Sequence, residues 1–113
     1  MGYRDVALQF GDLIARQDYS AASRLLAPEL QSSKTPDAIQ AAVVTMTAYA
    51  PGPIREAQIM EDFIIEDWPD KQPGDLAVVY VALTGKSFSE AVTLTLAQYG
   101  EDILIRQLEW ERP

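Results

Sequence analysis

Apolar residues recur at helical spacing up to about Ala50, and from Ile54 to Trp110 they gather into four runs with strand-like alternation and composition. That change of period predicts one α+β domain over residues 1–113, with three N-terminal helices packed on a curved four-stranded antiparallel sheet. In residues 4–17, Val6, Phe10, Leu13 and Ile14 lie on one stripe of a first helix. Asp18 then sits where it can cap a short second helix, whose apolar side is Tyr19, Ala22, Leu25 and Leu26 and which Pro28 ends. Thr35, Pro36 and Asp37 supply an N-cap, a first-turn proline and a first-turn acid. They open a third helix with Ile39, Ala42, Val43, Met46 and Tyr49 or Ala50 on its buried side.

Pro51, Gly52 and Pro53 remove backbone donors and free the chain to turn, marking the junction between helices and sheet. Strands are expected at residues 54–67, 76–84, 88–99 and 102–111, and the short connections between them favour a meander. In the third strand Phe88, Val92, Leu94 and Leu96 share one face, read as core, and Ala91, Thr93, Thr95 and Ala97 share the other. Both faces of the second strand are apolar, which implies a cover on each side. One cover is the helical layer. The expected second cover is another copy of the chain, seated on Ala77, Val79, Val81, Thr93 and Thr95 as a homodimer face.

Two strands contain charges out of phase. Glu61 shares a phase with Ala57, Ile59, Phe63 and Ile65 in the first strand, and Asp62 shares the other phase with Met60 and Ile64. Either a bulge resets the alternation or a carboxylate points inward. Arg106 likewise shares a phase with Leu104, Leu108 and Trp110, and a charge on such a face needs a partner or a wet cavity. Glu61, Asp62, Tyr80, Arg106 and Trp110 are therefore the candidate pocket residues, with snorkelling or surface pairing as the alternative for the charged ones.

Composition removes several chemistries. The chain has no Cys and no His, which excludes disulfides, thiolate metal sites, cysteine nucleophiles and any Ser-His-Asp triad. The glycines at 52, 74, 85 and 100 mark turns and junctions, and no phosphate-binding loop is present. The carboxylate pairs at 61–62 and 66–67 lack the spacing of a calcium loop and read as a solvated rim, so no metal and no cofactor is expected. Seventeen acidic against nine basic residues give a net charge of -8, which opposes contact with nucleic acid or anionic membranes. The first ten residues carry Arg4 and Asp5 and form no signal or anchor, so a cytoplasmic protein is the expectation.

Phe10 to Leu30, with its helix, break, Tyr19, and the Leu25-Leu26-Ala27-Pro28-Glu29-Leu30 run, resembles the opening of small bacterial members of the NTF2-like superfamily. Thr35-Pro36 resembles the start of their third helix. The resemblance covers nearly the whole chain. It implies a cone-shaped α+β fold with a pocket between helices and sheet, in which the enzymes of the family place an inward Asp or His base beside a Tyr or a protonated Asp. No residue here matches those catalytic positions one by one, and no activity transfers. The expectation is a non-catalytic module that holds a small apolar ligand or docks a partner protein. The alternatives are a small isomerase, dehydratase or hydrolase with a carboxylate in the cone, and an acidic immunity or inhibitor protein.

Overall fold

A computed structural model describes residues 2–111 of the chain. The first helix, α1, runs Tyr3–Ala15, its start fixed by the Asp5 carboxylate accepting from the Gly2 N–H at 2.9 Å. Val6, Phe10, Leu13 and Ile14 are all buried, as their spacing requires. At Gly11 the helix comes so close to the sheet that an added Cβ would stand 2.7 Å from the Ala57 Cβ and 2.9 Å from Val81 Cγ1. α1 ends in a Schellman turn: Asp18 N–H donates to Leu13 O and Gln17 N–H to Ile14 O, with Gln17 in the left-handed region at φ 62.

Asp18 caps α2, Tyr19–Ser23, by accepting from Ala21 N–H at 3.1 Å. Pro28, expected as a stop, instead opens a one-turn helix, α3, Pro28–Gln31, so the helical layer has four members. Proline at a first helical position loses no hydrogen bond, which is why a stop and a start look alike in sequence. Between them Leu25, Leu26 and Ala27 run beside the last strand: Ala27 N–H donates to Ile105 O at 2.8 Å, and Ile105 N–H donates to Leu25 O at 2.9 Å. α4, Pro36–Met46, starts at Thr35, whose Oγ1 accepts from Ala38 N–H.

The sheet is an antiparallel meander in the order β1-β2-β3-β4, with β1 at Glu56–Ile59, β2 at Asp75–Thr84, β3 at Ser89–Tyr99 and β4 at Asp102–Glu111. The first strand is far shorter than the expected 54–67. A 3-10 turn, Glu61–Phe63, interrupts it, and the chain returns to the sheet only at Ile65, which bridges Val78. Register sets the faces. Val79 lies opposite Leu94 and Val81 opposite Val92, while Tyr80 lies opposite Thr93 and Val78 opposite Thr95. Ala77, Val79 and Val81 are therefore on the helix-covered face, with no exposed surface, and the expected patch combining them with Thr93 and Thr95 does not exist. Among the described residues no helix is long and apolar enough to cross a membrane.

Candidate functional site

Following the inward phase of β3 from Leu96 through Leu94 and Val92 leads to Glu90, an acid that is 1% exposed. Its neighbour across the strands is Leu83, itself fully buried. The hydroxyl of Tyr49, in the chain just beyond α4, donates to the Glu90 carboxylate, and the Tyr49 ring stands edge-on to Phe88 at 6.1 Å between centroids. A pocket of about 540 Å³ opens beside this carboxylate. Ala41, Ala42, Thr45 and Met46 of α4 form one wall, and Glu90, Trp110 and Glu111 at the adjoining ends of β3 and β4 form the other.

The pocket lies where α4, which packs chiefly on α2, presents small residues to the ends of β3 and β4. Its large buried side chains, Ile39 and Val43, belong to the main core, whereas Ala41, Ala42 and Thr45 reach too little to fill the gap. Trp110 divides pocket from core, with its ring 6.3 Å from that of Phe10. The lining is mostly aliphatic and indole surface, with Glu90 and Glu111 as its charged groups among the described residues. Such a site can bury the apolar body of a small molecule and accept hydrogen bonds from its polar end.

Of the residues expected to form a pocket, Trp110 alone lines this one. Glu61 is in the exposed 3-10 turn, held by Arg4 Nε at 2.9 Å, and Asp62 beside it is also exposed. The irregular turn breaks the alternation, and neither acid points inward. Tyr80 faces the other side of the sheet, where Phe63 stacks edge-on at 5.6 Å. Burial, with the nearby carboxylates of Glu111 and Glu90, pushes the Tyr80 phenol above its usual 10.0.

Arg106 is the extra residue of a bulge: Thr95 pairs with Gln107, but Leu96 pairs with Ile105. The bulge lets Ile105 turn into the core and sends Arg106 to Asp75, an acid whose side chain has no exposed surface. Two parallel hydrogen bonds join them, Nε to Oδ1 at 2.7 Å and Nη2 to Oδ2 at 2.8 Å. Burial raises the Asp75 carboxyl, but the guanidinium and the Gln72 N–H outweigh it and hold the group below its usual 3.8. Tyr99 donates nearby to Glu29 of α3, and burial together with that carboxylate pushes its phenol up to about 12. These four side chains tie α3 and the loop before β2 to the sheet, a structural role.

The outer face is partly covered by the chain's own return. Phe63, Ile65, Val78, Tyr80, Thr93 and Glu111 surround a second hollow of about 380 Å³, in which Phe63 and Ile65 remain 56% and 47% exposed. The Thr93 hydroxyl donates to Glu111, which thus stands between the two hollows. Much of the second cover that β2 requires is local chain.

Glu90 was the residue missed, and its signal was present. It interrupts the apolar phase of Phe88, Val92, Leu94 and Leu96 in the same manner in which Glu61 and Arg106 interrupt theirs. Among the described residues no three acids converge as metal ligands would. Neither a protein-family model, nor a curated protein, nor a solved structure matches the chain.

Proposed function

We propose that the chain is a small-molecule binding module of NTF2-like type, holding an apolar ligand between α4 and the β3–β4 end of the sheet. The observation that carries this reading is the pocket itself, about 540 Å³ of space bounded by Ala42, Met46 and Trp110 around a buried carboxylate. That volume falls in the range of small-molecule sites, about 300–1,000 Å³. An apolar wall beside one buried acid favours ligands with a hydrocarbon body and a single polar end.

A thermal-shift screen of small apolar compounds tests it, run on the parent and on Ala42→Trp, which fills the space. A ligand present at about a hundred times its Kd adds about 2.7 kcal/mol and raises Tm by several degrees. Hits that vanish in Ala42→Trp support the reading. Hits that persist unchanged place the ligand elsewhere, and an empty screen removes the proposal.

A second reading is an enzyme that moves a proton with Glu90, favoured by the Tyr49 hydroxyl on that carboxylate inside a ligand-sized space. Binding remains the better reading, because the donors of the described lining are the neutral Thr45 hydroxyl and Trp110 indole N–H, set beside two acids, a weak arrangement for a developing negative charge. Turnover of a bound compound, abolished by Glu90→Gln with binding retained, would reverse that preference.

A further inference from the structure

We infer that two copies of the chain associate through the outer face of α4, packed antiparallel about a two-fold axis near Val44. The inference stands apart from the binding reading and does not need it. Residues 38–54 carry no charge, the longest such run in the chain, although α4 is a surface helix. Ile39 and Val43 are its buried residues, and it packs chiefly on α2. The side turned away from that contact is apolar as well. Val44 is 58% exposed, and Ala41 on the same stripe and Ala48 just past the helix end are exposed too. Gln40 and Thr45, which flank the stripe, are neutral. α1 shows what a water-facing helix of this chain carries instead, with Arg4, Asp5 and Asp12 all exposed. A helix that is apolar all round is one covered on both sides.

Charge selects the occupant and its direction. A net charge of -8 sets two copies against each other wherever acids would face acids. The uncharged stripe of α4 escapes that penalty, and it offers an ionic partner nothing to pair with. The same patch on each copy can therefore meet itself, as a two-fold interface requires. Asp37, in the first turn of α4, is the charge nearest the stripe and lies about 10 Å along the helix from Val44. Antiparallel packing holds the two Asp37 carboxylates at opposite ends, about 20 Å apart and well beyond the screening length of about 8 Å at physiological salt. Parallel packing would bring them together. A helix of 11 residues is about 16 Å long, so the contact falls below about 1,200 Å² in total, the size of weak and reversible interfaces.

Sedimentation velocity on the whole chain, from about 5 to about 500 μM, tests the inference. The parent is expected to show a monomer–dimer equilibrium with a Kd of about 10–100 μM. Added NaCl should tighten it, because screening relieves the repulsion between two acidic copies and breaks no ion pair in the contact. Val44→Glu alters a side chain that is more than half exposed, so the fold should be kept, while two carboxylates would meet at the axis and weaken the dimer at least about ten-fold. Phe63→Glu, which places the same charge at the exposed Phe63 of the outer sheet face, should leave the Kd within about two-fold of the parent. A parent that stays monomeric at about 500 μM overturns the inference without any variant. So does a dimer that salt weakens, or one that Phe63→Glu breaks and Val44→Glu spares, which would move the contact to the sheet.

Discussion

The two long helices meet the sheet in opposite ways. α1 lies flush on it, with Phe10 and Ile14 almost wholly buried and a glycine at the point of closest approach. α4, although rich in apolar residues, leaves a ligand-sized gap over the β3–β4 end, bounded by alanines, a threonine and a methionine. Hydrophobicity is therefore a poor guide to which helix closes the core. What differs is how the space between helix and sheet is filled: Gly11 lets α1 close on β1 and β2 while Phe10, Leu13 and Ile14 are buried beside it, whereas the small residues of α4 leave room beside Trp110.

If that contrast is right, truncation should cost far more under α1 than around the pocket. Phe10→Ala should lose about 3–5 kcal/mol of stability by urea unfolding, because it empties a site that has no exposed surface. Met46→Ala, at a half-buried position in the pocket wall, should lose about 1 kcal/mol. Equal losses would break the comparison. Gly11→Val probes the same contact from the other side. A larger residue there must displace Ala57 or Val81 and should cost about 1–3 kcal/mol, whereas Ala42→Val, facing the open space, should cost less than about 0.5 kcal/mol.

The Asp75–Arg106 pair gives an effect smaller than that of Phe10 and dependent on pH. The folded-state carboxyl is held below 3.8, so its contribution is present above that value and is lost as pH falls through the folded pKa. Asp75→Asn should therefore be about 1–3 kcal/mol less stable than the parent at pH 6, with the gap closing at pH values below the ordinary Asp range. A gap that stays constant down to the acid limit would mean that packing, not charge, accounts for the loss. The last effect is a small gain: Gln17 holds a left-handed conformation at φ 62, and Gln17→Gly should add about 0.5–1 kcal/mol without touching either helix face.

Local chemistry was the most legible part of the chain. Thr35-Pro36-Asp37 reads as a helix start and is one, and Asp18 caps α2 as its position requires. The faces of β2 were harder, because Leu76, Val78 and Tyr80 are as apolar as Ala77, Val79 and Val81, and alternation cannot choose between two apolar phases. Pairing could have chosen. Setting Thr84 opposite Ser89 across the turn and stepping back along both strands brings Tyr80 to Thr93, on the polar side. The interrupted first strand and the bulge at Arg106 were less accessible, since the residues that stabilise them, Val78 for Ile65 and Asp75 for Arg106, are distant in sequence. For the same reason the pocket could not be located from the pattern alone: Glu90 and Tyr49 meet only when the turn after α4 is laid over β3.

The open space under α4 is tested most directly by a nitrogen–proton NMR correlation spectrum recorded while adamantanol, a rigid hydrocarbon body with one polar end, is added to the full chain. The account predicts that the Trp110 indole N–H and the backbone amides of Glu90, Ala42 and Met46 shift together with a single binding curve, while the amides of Phe10 and Gly11 stay in place. Shifts centred on Phe63, Ile65 and Tyr80 would put the ligand on the outer face of the sheet and contradict the account, as would a spectrum that does not move at all.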